Sequence, residues 1–253
     1  MPAVGGVARR ATTIIQERKK NPYTLVLDAG DSLVGDQDPA LKTQGKSSIE
    51  AMNRLGYDAM ALGPADLALG VETLRARMAE AKFPLLSANA VVTGTEDFVA
   101  QPYAVREIAG HRVAVVGLSG GNGTAEIDVR DPLAAAQKIV LEARKEADIV
   151  ILLSHAGQMI DQQIADQVPG IAAIVSGGNG ARQAAWESAT TRIPVYHADQ
   201  AFSGHAGRMM GVGKLNFDAG GQLKAQKWQQ VPLNPSIADD PTMAAWVQAQ
   251  IEP

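Results

Sequence analysis

Short continuous apolar runs alternate along the chain with stretches that repeat their apolar positions every three or four residues. The runs are Thr24-Leu25-Val26-Leu27, Ala59-Met60-Ala61-Leu62, Pro84-Leu85-Leu86, Val113-Ala114-Val115-Val116, Ile149 to Leu153 and Ile171 to Val175. Bounded by Gly, Asp or Ser, they suit strands covered on both faces. Between them, Val7 to Lys20 places Ala8, Ala11, Ile14 and Ile15 on one face and ends in a basic turn before Asn21-Pro22. Val71 to Lys82 and Pro132 to Ala147 show the same helical period. Asp131-Pro132 is a good helix start, an N-cap oxygen followed by proline at the first helical position. Strand–helix alternation at this pitch predicts βαβ units with mainly parallel pairing.

After Thr191 the pattern changes. Ile193 to His197 and Met209 to Phe217 read as strands, and Asp218-Ala219-Gly220-Gly221 turns into Leu223 to Val231 as a hairpin. Asp240-Pro241 opens a last amphipathic helix carrying Met243, Trp246, Val247 and Ile251. No linker or low-complexity tract interrupts residues 1–253, so one domain is expected. Two α/β halves followed by a strand-rich return predict an α/β fold of two packed mixed β-sheets flanked by helices, a four-layer α-β-β-α sandwich.

Composition narrows the function classes. The 253 residues are 46% hydrophobic and 20% charged, ordinary for a globular chain. A net charge of −4 and 4% aromatic residues give neither a basic footprint nor a stacking platform for nucleic acid. No apolar run approaches the ~20 residues that span a bilayer, and Met1 to Gly6 lacks the layout of a signal peptide. A soluble chain is expected. With Cys 0, disulfides and thiolate metal sites are excluded.

In open α/β sheets ligands gather at the carboxyl ends of strands. Those ends carry Asp28-Ala29-Gly30-Asp31, Gly63-Pro64-Ala65-Asp66, Ser119-Gly120-Gly121-Asn122-Gly123, Ser154-His155-Ala156-Gly157 and Ser176-Gly177-Gly178-Asn179-Gly180. Gly5-Gly6-Val7-Ala8-Arg9-Arg10-Ala11-Thr12, then Leu25 to Asp31, then Glu50 to Gly63 resemble the 5′-nucleotidase branch of the calcineurin-like metallophosphoesterases. Leu153-Ser154-His155 and the strand-rich end around Gly207 to Asp218 are similar to that family too, and the resemblance covers nearly the whole chain.

The resemblance implies hydrolysis of nucleotide phosphate monoesters by a water activated on two divalent metals (Mn, Zn or Mg). It places Asp31 at the bridging carboxylate position and His155 at a Ser-His ligand position. Elsewhere the chain departs from the family. Pro64-Ala65 stands where the family has Asn-His, and Gly177-Gly178-Asn179-Gly180 where it has Gly-His-x-His. An Asp-x-His block is expected before Gly5-Gly6, and residues 1–4 cannot carry it. Asp31 and His155 alone fall short of the three protein ligands such a site needs. Vestigial metal positions and weak metal binding at most are the expectation.

Asp28 reads as a turn residue bonding its own backbone. His205 lies in the Gly204-His205-Ala206-Gly207 loop where the family closes over its site, although a solvated loop histidine is the plainer reading, and His197 is equally open. His111 reads as part of a hairpin turn at Ala109-Gly110-His111. The doubled Ser-Gly-Gly-Asn-Gly suits tight strand-to-helix turns. An anion-binding nest is the alternative, with Arg182 or Arg208 as its cation. Asn179, His205 and Arg208 are thus the candidate contacts for a small phosphorylated ligand or nucleotide. Two functions stay open: a weak phosphoesterase, and a non-catalytic binding or interaction module keeping the fold. The resemblance also implies a first strand before Gly5, a second domain after Pro253, and a periplasmic or other extracytoplasmic address.

Overall fold

A computed structural model describes residues 5–34, 39–178, 185–198 and 207–251. In chain order the elements are α1 (Val7–Lys20), β1 (Leu27–Asp28), α2 (Lys46–Leu55), β2 (Ala59–Ala61), α3 (Pro64–Leu67), α4 (Gly70–Glu80), β3 (Leu85–Leu86), β4 (Ala90–Val92), β5 (Tyr103–Ile108), β6 (His111–Leu118), β7 (Ile127–Val129), α5 (Pro132–Glu146), β8 (Ile149–Ser154), α6 (Gln158–Gln167), β9 (Ala173–Ser176), β10 (Ala185–Glu187), β11 (Pro194–His197), β12 (Met209–Phe217), β13 (Leu223–Pro232) and α7 (Pro241–Ile251). A parallel sheet runs β1-β2-β3, and a larger one runs β10-β11-β9-β8-β6-β5. Its inner strands are parallel, while β5 and β10 pair antiparallel at the two edges. β12–β13 and β4–β7 form separate antiparallel pairs.

Side-chain alternation along the strands sets how these pieces stack. In β2, Ala59 and Ala61 meet Val115 and Leu153 of the larger sheet. Met60 and Leu62 point the other way, into a core shared with Ala8, Ala11 and Ile14 of α1, Ile49, Met52 and Leu55 of α2, and Leu74 of α4. The larger sheet mirrors this. Val113 and Val115 face the smaller sheet, while Ala114, Val116 and Leu118 pack on Ala136 and Val140 of α5 and Ile164 of α6. Four layers result, helix–sheet–sheet–helix, as the sequence predicts. Gly117 lets the sheets close up, because a Cβ there would lie 2.5 Å from the Cβ of Leu86.

Differences from the sequence reading are local. The run starting at Thr24 pairs only at Leu27 and Asp28, because the Val26 N–H donates to the Asp58 carboxylate at 2.8 Å rather than to a strand. Helices α2, α3 and α6 and strands β4, β5, β7 and β10 add to the elements predicted. The hairpin before β6 turns at Ala109 (φ 52) and Gly110 (φ 81), both left-handed. His111 then opens β6 opposite Ile108. Among the described residues no helix is long and apolar enough to cross a membrane.

Candidate functional site

The carboxyl ends of β1, β8, β9 and β11 converge on a cavity of about 570 Å³ lined by Asp28, Asp31, His155, Gly177, Gly178 and His197, among others. The loop after β1 is fixed by its own side chains. Asp28 accepts the Gly30 N–H and the Ser32 hydroxyl, each at 3.0 Å, as its turn role predicts. Burial pushes the Asp28 carboxyl above its ordinary value, and these bonds only partly oppose it. Asp31 itself is left-handed at φ 60.

Asp66 holds that loop against the start of α3. Its fully buried carboxylate accepts the N–H groups of Asp31 (2.7 Å), Leu33 (2.9 Å) and Gly63 (2.9 Å). Burial raises its pKa to about 7 against the pull of those donors. The sequence placed Asp66 at a strand end without assigning it this work; an acid two residues after Pro64, where a helix begins, was the available signal.

Asp31 and His155 meet directly. His155 Nε2 lies 3.1 Å from Asp31 Oδ2, and the other Asp31 oxygen accepts the Ala65 N–H at 2.7 Å. His155 Nδ1 donates to the Ala29 carbonyl at 2.7 Å. A carbonyl only accepts, so Nδ1 carries a proton. A proton on Nε2 as well would let the ring donate to the Asp31 carboxylate as an imidazolium. Burial opposes that charge, but the hydrogen bond and charge of Asp31 outweigh it and raise the His155 pKa. Burial also works against Asp31, and His155 together with the Ala65 N–H reverses this and holds the carboxyl below its usual range.

Glycines make room for the imidazole. A Cβ on Gly30 or Gly177 would lie 2.8 Å from His155 Nδ1, and the Gly177 Cβ only 2.5 Å from the Ala29 oxygen. Behind the ring, buried Asp161 of α6 accepts the hydroxyls of Ser154 and Ser176, tying β8 to β9. Burial lifts its pKa to about 6. No spacing in the sequence marks Asp161 as part of this support. His197 is buried at the end of β11, where its Nε2 donates to the Gly178 carbonyl at 2.9 Å.

The other candidates fall outside this cluster. Arg208 is exposed and does not line the cavity. Asn179, Arg182 and His205 lie outside the described residues. The first Ser-Gly-Gly-Asn-Gly copy supports a close turn, since a Cβ on Gly120 would lie 2.2 Å from the His155 carbonyl oxygen and one on Gly123 2.2 Å from that of Ile127. Ser119 turns its hydroxyl inward, to the Leu62 carbonyl at 2.7 Å and the Ser87 hydroxyl at 2.8 Å. Among the described residues, no three His, Asp or Glu side chains are grouped to hold a metal ion.

No protein-family model matches the chain. The 5′-nucleotidase of Bos taurus is 30% identical over 268 residues, covering 96% of this chain and 46% of its own length. A probable 5′-nucleotidase of Treponema pallidum is 34% identical over 185 residues, 69% of this chain and 31% of its own. The solved 5′-nucleotidase precursor of Thermus thermophilus superposes with a TM-score of 0.84 at 28% identity, over 98% of this chain and 53% of that one. A calcineurin-like phosphoesterase of Bacillus subtilis shares the fold, with a TM-score of 0.82 at 24% identity over 98% of this chain and 89% of that one. The chain therefore belongs with the 5′-nucleotidases of the calcineurin-like phosphoesterase fold, and it spans about half the length of the curated relatives it matches.

Proposed function

We propose that residues 1–253 keep the nucleotidase fold and a cavity for a small phosphorylated ligand or nucleotide, without a two-metal centre able to hydrolyse it. One observation carries this reading: among the described residues no three His, Asp or Glu side chains are grouped to hold a metal ion, and the Asp31 carboxylate lies 3.1 Å from His155 Nε2. A metal needs the neutral nitrogen of an imidazole and an available carboxylate oxygen. Here one Asp31 oxygen faces Nε2 and the other accepts the Ala65 N–H. The neighbouring positions supply Pro64, Ala65, Gly177 and Gly178, none with a donor side chain. Among the described residues the donor set does not fit a resident divalent ion.

Asn179, His205 and Arg208 stay as candidate contacts for the ligand, and residues 1–253 are proposed to act as one domain. The Thermus thermophilus relative is a precursor, which supports an extracytoplasmic address. The test is turnover of AMP and of nitrophenyl phosphate by the purified chain with Mn, Zn or Mg supplied at millimolar concentration. The reading predicts product no faster than in a protein-free blank. Turnover abolished both by a chelator and by His155→Ala would reinstate the parent phosphoesterase activity.

A further inference from the structure

An asparagine carboxamide is open to attack by the main-chain nitrogen that follows it, and the chain itself holds the two groups close. Three conditions favour the attack: a hydrogen on that nitrogen, no side chain crowding it, and no hydrogen bonds fixing either group. The chain holds seven asparagines, and these conditions separate them. Asn21 and Asn234 precede prolines, whose nitrogen carries no hydrogen. The Asn53 carboxamide is fixed at both ends, to the Glu80 carbonyl and the Lys82 N–H. Asn89 is 0% exposed and commits its carboxamide to Ser119 and Arg130. Asn216 stands in the β12 ladder opposite Ala225, before the bulky Phe217. Asn179 lies outside the described residues. Among the described asparagines, Asn122 alone meets all three conditions. It is exposed, Gly123 follows it, and neither its carboxamide nor the Gly123 N–H bonds a described residue.

The surrounding loop has little slack. Ser119 anchors its start, donating its N–H to Asn89 at 2.8 Å and its hydroxyl to the Leu62 carbonyl. Thr124 anchors its end, donating its N–H to the Ile127 carbonyl at 2.7 Å. Between these anchors the main chain is hemmed in. A Cβ on Gly121 would lie 3.1 Å from the Pro64 ring, and those on Gly120 and Gly123 would lie 2.2 Å from the carbonyl oxygens of His155 and Ile127. The loop therefore backs the strand end that carries His155.

We propose that Asn122 is a site of spontaneous deamidation, and that its isoaspartate product displaces the loop behind His155. The Gly123 nitrogen bonds to the side-chain carbonyl carbon of Asn122, the bond from that carbon to Nδ2 breaks, and ammonia leaves with the Gly123 hydrogen. Water then opens the succinimide. Attack at the side-chain carbonyl gives aspartate; attack at the main-chain carbonyl gives isoaspartate, in which the chain runs through the side-chain methylene. Either product adds a negative charge, but only isoaspartate lengthens the main chain, by about one carbon–carbon bond, roughly 1.5 Å. The close approaches of Gly120 and Gly123 leave no room for that length, so the loop moves off the His155 carbonyl.

The test keeps the whole native chain warm in mildly alkaline buffer and follows it by peptide mapping with mass spectrometry and by the His155 ring signals in an NMR spectrum. The expected result is loss of ammonia and uptake of water at Asn122, in both product forms, with Asn53, Asn89 and Asn216 slower by about tenfold or more. Asn122→Gln, which would have to close a six-membered ring, should slow modification at this position by a similar factor. The His155 signals should shift as isoaspartate accumulates. They should stay in place in freshly made Asn122→Asp, which has the charge without the added length. Modification of Asn122 only after unfolding in urea, or no faster than at the other three, would overturn the site. His155 signals unmoved in the aged protein, or moved equally by Asn122→Asp, would overturn the displacement.

Discussion

Replacing Asp66 with alanine removes the acceptor for three backbone N–H groups at once, those of Asp31, Leu33 and Gly63. Asp66 is 0% exposed, so water does not stand ready to replace the carboxylate. A buried donor left without a partner costs about 1–3 kcal/mol. Three such groups, with some relaxation of the loop, place the loss at about 3 kcal/mol or more. That is a large share of the roughly 5–15 kcal/mol that holds a domain together. Equilibrium unfolding in urea, with the slope unchanged, measures it directly. Asp66→Asn should fall between the two proteins, because its oxygen still serves one or two donors while its NH₂ opposes the remaining one. Since Asp66 fixes the backbone of Asp31, the alanine variant should also disturb the His155 ring signals in an NMR spectrum. A loss below about 1 kcal/mol, in a still cooperative transition, would refute the assignment of Asp66 as the clamp of this loop.

Other substitutions probe the pair itself. Gly177→Ala puts a methyl group 2.8 Å from His155 Nδ1 and should cost about 1–3 kcal/mol through overpacking, with a downfield-to-upfield change in the His155 ring protons as the Ala29 bond breaks. The pair should also give stability a pH window. The raised pKa of His155 contributes stability that is complete below its unfolded value, about 6.5, and is lost as pH rises through the folded value. The lowered pKa of Asp31 contributes stability that is complete above its unfolded value, about 4, and is lost as pH falls through the folded one. The pair's contribution is therefore greatest between about pH 4 and 6.5, and Asp31→Asn should lower the His155 pKa measured by NMR and flatten that part of the stability profile. An unchanged His155 pKa in Asp31→Asn would contradict the contact.

The layers were legible in the sequence because strands buried on both faces read as unbroken apolar runs. Val113 to Val116 and Ile149 to Leu153 sit between a sheet and a helix layer, so every position is covered. α6 was not legible. Its sequence, Gln158 to Gln167, spaces only Met159, Ile160, Ile164 and Ala165 among polar residues, and Met159 is 82% exposed. In the site, the strand-end positions of Asp31 and His155 followed from the Gly-Asp and Ser-His blocks. Their mutual bond did not, because it depends on where Ala29 and Gly177 allow the imidazole to lie. The supporting acids Asp66 and Asp161 escaped for a related reason: each acts on groups brought close only by the packing of β1 on β2 or β8 on β9.

The proposed function requires that Asp31 and His155 hold each other rather than a metal. Calorimetric titration of metal-stripped protein with manganese and with zinc tests it most directly. The account predicts no binding tighter than about micromolar, roughly −8 kcal/mol. Stoichiometric uptake of two ions at or below that concentration, lost in Asp31→Ala and His155→Ala, would contradict it.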